Sequence, residues 1–122
     1  MKDIRERTFD FALRIIKLCQ QLEEEGGVGR TLGWQLLRSG TSIGANVEEA
    51  QAGQSKLDFI SKNAIALKEA RESQFWLRLI AASGVIHAAK MTPLVRESGE
   101  IVAILTTIAK KTNPKNPASP HS

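Results

Sequence analysis

The chain has 122 residues and one cysteine, Cys19, so it is long enough to bury the core of one domain and cannot form an intrachain disulfide. Its formal net charge is +4 and its pI is about 9.5, which favours an anionic partner only mildly. The charged N-terminus "MKDIRER" is unlike a signal peptide, and no uncharged segment is long enough to span a membrane, so we expect a cytoplasmic protein.

The first predicted helix covers about residues 3–24. Its apolar residues recur at alternating steps of four and three, which is one stripe of an amphipathic helix. The stripe consists of Ile4, Thr8, Phe11, Ile15, Leu18 and Leu22. Cys19 lies beside it and is interpreted as a small buried hydrophobic residue rather than a nucleophile. The glycine-rich segment "GGVG" at 26–29 predicts the end of this helix.

The second predicted helix, about residues 30–54, contains the unusual stretch "RSGTSIGANVEEAQ". Its composition would suit a loop or a phosphate-binding turn, but Leu36, Gly40, Ile43 and Val47 follow the helical spacing. Glycine costs about 1 kcal/mol relative to alanine inside a helix. We therefore predict that Gly40 and Gly44 allow another helix to approach closely, with the small residues of the third helix as the expected partner.

Two further helices complete the predicted fold. The third, about 56–83, has Ser55 as its N-cap and Gly84 as its end. The fourth, about 93–111, is predicted to begin with Thr92 as N-cap and Pro93 at its first position. Residues 112–122 are rich in proline and predict a disordered tail. The expected architecture is all-α, an up-down-up-down four-helix bundle over residues 1–111.

The sequence offers no recognisable catalytic or metal-binding motif. The glycine spacing fits neither a P-loop nor a dinucleotide-binding fingerprint. The two histidines, His87 and His121, belong to no Glu-x-x-His pair, so a di-iron centre and an oriented catalytic base are not expected. We predict no catalytic residue, no metal, no cofactor and no enzymatic activity.

Short polar side chains follow one side of the second helix, and acidic residues follow one side of the third. A freely solvated helix face usually favours Glu, Lys and Gln over Ser and Thr. We therefore interpret these residues as a packed polar network, within one subunit or between subunits, although a solvated face is the alternative. The predicted network comprises Arg38, Ser39, Ser42, Asn46, Glu49, Glu69 and Glu72.

The same stretches resemble a known family. The pattern R-S-x-x-S-I-x-x-N falls on residues 38–46, S-K-x-D-F-I on 55–60, A-L-K-E-A-R-E on 66–72 and W-L-R-L on 76–79. They resemble the small bacterial four-helix-bundle proteins encoded in intervening sequences of 23S rRNA genes, the S23-type family. The resemblance implies a homopentamer around a central channel and no established enzymatic activity. It also extends to the accessory protein of diversity-generating retroelements, a basic pentameric bundle that binds nucleic acid.

Together these features predict a homo-oligomer that binds structured RNA or DNA through phosphate contacts, with no membrane association. The alternative is a protein-protein interaction scaffold without a nucleic-acid ligand. No combined aromatic and basic recognition surface is evident, so sequence-specific reading is not expected. The candidate phosphate contacts, each of which could also be an ordinary solvated charge, are Arg5, Lys17, Lys62, Arg78, Lys90, Lys110 and Lys111.

Overall fold

A computed structural model describes residues 2–113 as four α-helices, with no β-strand in that range. The helices are α1 (Ile4–Glu25), α2 (Gly27–Ala52), α3 (Lys56–Ser83) and α4 (Ala88–Thr112). The predicted all-α class with four helices is therefore confirmed. The predicted disordered tail falls mostly on residues 114–122, which lie outside the described residues.

Capping residues explain the ends of α1 and α3. Asp3 Oδ1 accepts a hydrogen bond from Glu6 N at 2.9 Å, and Ser55 Oγ accepts one from Asp58 N at 3.1 Å. Each cap satisfies a backbone N–H that the first helical turn leaves without a partner, which is worth about 1 kcal/mol. α3 ends at Gly84, whose φ of +76° lies in the left-handed region that glycine favours. The observed α3 spans the predicted range.

A single residue, Gly26, separates α1 from α2. Its φ of +71° turns the chain between the two helices. Gly27, the first residue of α2, also has a positive φ, +53°, so both glycines make the turn and α2 begins three residues before the predicted start at residue 30. Gly29 is then buried, and a Cβ built on it would lie 3.1 Å from Val85 Cγ1. The segment "GGVG" therefore ends α1 but belongs mostly to α2.

α4 begins at Ala88, five residues before the predicted first residue Pro93, so the predicted start with Thr92 as N-cap is wrong. His87 is the N-cap, and its Nδ1 accepts a hydrogen bond from Ala89 N at 3.2 Å. Pro93 lies inside the helix, where its missing N–H removes one backbone hydrogen bond. The extra turn places Met91 in the core with 0% of its surface exposed. Proline inside a helix costs about 3 kcal/mol, since its ring also crowds the carbonyl one turn back, and burying a side chain such as that of Met91 contributes about 1.5–3 kcal/mol against this cost.

The glycines of α2 pack against α1, so the predicted partner, α3, is wrong for these positions. A Cβ on Gly40 would lie 2.9 Å from Ile15 Cγ2, and one on Gly44 would lie 3.3 Å from Thr8 O. Closer to the turn at Gly26, a Cβ on Gly33 would lie 3.1 Å from Cβ of Leu22 in α1. Later residues of α2 thus meet earlier residues of α1, and the two helices run antiparallel.

The hydrophobic core lies between helices that each pack against the next one in the chain, and α1 also contacts α4. The residues of α1 that face it, all buried, are Thr8, Phe11, Ile15, Leu18, Cys19 and Leu22. Arg7 joins α1 to α4, since its Nη2 and Nε donate to the two carboxylate oxygens of Glu97 at 2.6 and 3.1 Å. No helix between residues 2 and 113 is both long enough and apolar enough to cross a membrane.

Candidate functional site

A buried polar contact joins α2 to α3. Ser73 Oγ donates a hydrogen bond to Ser39 Oγ at 2.9 Å, and both side chains are fully buried. Ser39 Oγ can in turn donate to the Leu36 carbonyl oxygen at 3.4 Å. Small hydroxyl residues on both helices let the backbones approach while each polar atom keeps a partner. This hydrogen bond therefore favours the packing of α3 on α2 in which Ser73 lies opposite Ser39.

Arg38 extends the polar contact towards solvent. Its guanidinium lies 3.3 Å from Glu69 Oε2 and also pairs with Glu72. Trp76 Nε1 donates to Glu72 Oε2 at 3.0 Å, so that carboxylate binds two donors from different helices. Glu69 is 8% exposed, and the arginine compensates for burying its charge.

The structure brings together four of the seven residues predicted for the network: Arg38, Ser39, Glu69 and Glu72. Ser42 and Asn46 instead donate to carbonyl oxygens one turn back in α2, at 2.8 and 2.9 Å. Glu49 is exposed, and its side chain takes part in no hydrogen bond or ion pair within residues 2–113. Sequence spacing identified the helix face but missed Ser73 and Trp76, which lie on the third helix at one-turn steps from Glu69 and Glu72.

The predicted phosphate contacts do not gather at one place. Arg5 lies 3.5 Å from Glu48 in an exposed ion pair, Lys17 is exposed on α1, and Lys62 is half-buried on α3. Lys90 and Lys110 lie on the same helix twenty residues apart, which corresponds to about 30 Å. The remaining two candidates are the exposed Arg78 on α3 and the exposed Lys111 beside Lys110.

Arg78 shares a surface depression with a second arginine, Arg96, which the sequence prediction left out. It lines a surface depression of about 520 Å³ between the second half of α3 and the first half of α4, and Arg96 lies on the α4 side. Ala81, Ala88 and Val95 are among the residues between them. This depression therefore combines two guanidinium groups with a largely apolar floor.

Apolar side chains are exposed along the opposite, α1–α2 side of the molecule. Phe9 and Leu13 of α1 are 61% and 47% exposed, and Trp34 of α2 is 69% exposed. Ile16 lines two adjoining depressions of about 310 and 700 Å³ that continue along both helices. We call the surface formed by Phe9, Leu13, Ile16, Trp34 and Leu37 the α1–α2 groove.

Cys19 is buried between α1 and α2, and its surroundings keep its thiol protonated. Burial raises the pKa of the Cys19 thiol to about 11, so it is protonated at neutral pH and is a poor nucleophile. Its Sγ donates to the Gly33 carbonyl oxygen at 3.2 Å. No group of three or more His, Cys, Asp or Glu side chains within residues 2–113 could hold a metal ion.

Comparison with known proteins gives a family-level match. Residues 2–107 match the family model described as 23S rRNA-intervening sequence protein. The chain is also similar to a crystal structure of a protein with unknown function from the S23 ribosomal protein family, from Bacteroides thetaiotaomicron VPI-5482. The two sequences are 40% identical, the TM-score is 0.81, and the match covers 88% of this chain and 99% of the other. No curated protein sequence matches the chain.

Proposed function

Because the chain belongs to the 23S rRNA-intervening sequence protein family, we propose that it is a non-enzymatic, homo-oligomeric, cytoplasmic four-helix bundle that binds nucleic acid through phosphate contacts. The ligand class is structured RNA or DNA. We further propose a relation to the accessory protein of diversity-generating retroelements, a basic pentameric bundle that binds nucleic acid, and such a relation would support this assignment. The burial of Cys19, which raises the pKa of its thiol, supports the proposal that this cysteine is not a nucleophile.

The bundle is proposed to run up-down-up-down. The connections contain one, three and four residues between successive helices, as their bounds give. Connections this short favour antiparallel neighbours, since a parallel neighbour would need a chain that returns along the whole helix. The Arg7–Glu97 pair fits the same connectivity, because it links the first helix to the last.

The observation that carries nucleic-acid binding is a set of cations that the protein itself leaves unneutralised. Among residues 2–113, the exposed Lys17, Arg78, Lys90 and Lys111 take part in none of the ion pairs. Assembly would multiply this charge, because five copies carry five times the net charge of +4. Such a field attracts a polyanion and raises its association rate.

Assembly is proposed to occur through the α1–α2 groove, with a second copy of the chain as its occupant. The groove exposes large apolar side chains contiguously, which is unusual for a surface that stays in water. The family resemblance implies five subunits. In a ring of that kind the groove of one copy meets a different surface of the next, as heterologous cyclic interfaces require.

The nucleic-acid proposal is tested by titrating the full chain with a fluorescent RNA hairpin and a DNA duplex of unrelated sequence at several salt concentrations. Phosphate contacts predict that the logarithm of the binding constant falls linearly with the logarithm of salt, by about 0.7–0.9 per phosphate neutralised. Absence of binding at low salt by the assembled protein would refute this function and favour the scaffold described next.

A protein-protein interaction scaffold without a nucleic-acid ligand is the second candidate, and the α1–α2 groove is the observation that favours it. Light scattering on the full chain and two variants separates self-assembly from other uses of the groove. Leu13→Lys should reduce the mass towards that of one chain, whereas Val28→Lys, at an exposed apolar position outside the groove, should not. A monodisperse monomer for the unmodified chain would refute the oligomer.

A further inference from the structure

The structure places an exposed aromatic ring among arginines. Resting on the proposed nucleic-acid function, we propose that Arg71, Phe75 and Arg78 of α3, with Arg96 of α4, bind an unpaired segment of nucleic acid. The arginines contact its phosphates, and one base stacks on Phe75. We call these four residues the arginine–phenylalanine face.

The first support is the exposure and orientation of Phe75. It is 53% exposed, and it lies four residues after Arg71 and three before Arg78, so the three side chains share one face of α3. Its ring packs edge-on against Trp76, with centroids 5.1 Å apart and planes at 71°. Since Trp76 is tied to Glu72, the support behind Phe75 is fixed while its outer side remains open.

The second support is that the ion pairs of α3 and α4 engage their acidic residues but not the arginines of the arginine–phenylalanine face. Glu69 and Glu72 pair with Arg38 of α2, and Glu97 and Glu100 pair with Arg7 of α1. Those four acids therefore lie in ion pairs on the sides of α3 and α4 that face α2 and α1, and the two arginines offset half of their charge. The ion pairs of residues 2–113 include none of the three arginines of the arginine–phenylalanine face, which keep their full charge for a ligand.

The third support is the meeting of the two helices at this face. Gln74 lies between Arg71 and Arg78 on α3, and its Nε2 would be 3.4 Å from a Cβ built on Gly99 of α4. Arg96 lies three residues before Gly99, so it projects from the same edge of α4. Arg78 and Arg96 also line one depression with an alanine-rich floor, which leaves room for a flat group between them.

This combination distinguishes an unpaired strand from a duplex. Arginines alone would suit the phosphates of either, because both carry a regular line of negative charge. An exposed ring can stack only on a base that is not already stacked and paired on both sides. The arginine–phenylalanine face therefore predicts a preference for single strands, or for the unpaired loops of a structured RNA, without reading their sequence.

The test measures binding of a fluorescent 20-nucleotide oligo-uridine and of a 20-base-pair RNA duplex to the full chain and its variants. Phe75→Ala should weaken oligo-uridine binding by about 5- to 150-fold, the range of one lost base stack, and should leave the salt slope and duplex binding unchanged. Leu79→Ala is the matched control, because it removes another half-exposed apolar side chain from α3 but no ring. It should bind as the unmodified chain does.

The arginines are tested with the double variant Arg78→Gln/Arg96→Gln. It should reduce the salt slope for oligo-uridine by about 1.4, corresponding to two phosphates of a single strand. Arg14→Gln/Arg30→Gln removes the same charge from α1 and α2 and should leave that slope unchanged.

The possible outcomes separate the two proposals. If the unmodified chain binds neither nucleic acid, the proposed function fails and this inference fails with it. If the unmodified chain binds nucleic acid but Phe75→Ala and Arg78→Gln/Arg96→Gln behave as their controls do, the proposed function stands. The assignment of binding to the arginine–phenylalanine face is then refuted. A preference for the duplex would also overturn it. So would a Phe75→Ala chain that loses its oligomeric mass by light scattering, since the ring would then belong to a subunit interface.

Discussion

Replacing Gly40 by alanine tests the close approach of α1 and α2. The added Cβ would lie 2.9 Å from Cγ2 of Ile15, closer than Cβ contacts in proteins normally come, and 3.0 Å from Cγ1, which is also unusually tight. Ile15 is fully buried, and both atoms are attached directly to its stiff, branched Cβ, so rotation cannot remove the clash. A core side chain or a whole helix must shift.

The magnitude follows from two opposing effects. Alanine stabilises a helix interior by about 1 kcal/mol relative to glycine. Forcing an extra methyl into a packed core costs about 1–3 kcal/mol, and this position lies at the upper end of that range because the clash is with stiff atoms. We therefore expect Gly40→Ala to lower the free energy of unfolding by about 1–2 kcal/mol.

The assay is urea unfolding followed by circular dichroism at one fixed protein concentration, since assembly makes stability depend on concentration. Gly99→Ala is the matched control: the change is the same, but the new Cβ meets the flexible end of Gln74 at 3.4 Å. It should stabilise the protein by about 0.5–1 kcal/mol. A Gly40→Ala protein that is as stable as the control would refute the proposed packing.

Three further predictions concern buried polar groups. Ser39→Ala should lower the free energy of unfolding by about 1–2 kcal/mol because it leaves the buried Ser73 hydroxyl without its acceptor. In a double-mutant cycle, Ser39→Ala/Ser73→Ala should lower it by less than the sum of the two single changes. Arg38→Met should lower the free energy of unfolding by about 1–2 kcal/mol because Glu69 loses its cation, and Arg38→Met/Glu69→Leu should recover part of that loss in the same urea assay. For Cys19, the folded pKa of about 11 exceeds the ordinary thiol pKa of 9.0, so the unfolded thiol ionises first as pH rises. The unmodified chain should therefore lose stability relative to Cys19→Ala between pH 9 and 11 and show no such relative change below pH 8.

Much of the helical structure was predictable because it depends on local signals. The α1 stripe was identified from its spacing, and α3 was bounded correctly because Ser55 and Gly84 are caps that act on their own neighbours. The start of α4 was missed because the local preference of Pro93 for a first turn was weaker than the gain from burying Met91. That gain depends on the other helices and is invisible in the local pattern.

The partners of individual residues were harder to predict than the faces on which they lie. Periodicity placed Gly40 on a buried face but could not say that the neighbour is Ile15 of α1 rather than a residue of α3. It likewise placed Asn46 on the polar side, where the side chain bonds its own helix instead of crossing to the next. Arg96 was overlooked because its relation to Arg78 exists only once α3 and α4 lie side by side.

The connection through Gly26 also governs how the chain can exchange parts with another copy. α1 and α2 would form one uninterrupted helix of roughly 70 Å if Gly26 and Gly27 both adopted right-handed helical dihedral angles. The extended α1 could then no longer fold back onto its own Ile43-containing partner helix, and a second chain would have to supply that surface. The turn at Gly26 and Gly27, which both have positive φ, therefore lets α1 pack on α2 of its own chain and disfavours domain swapping.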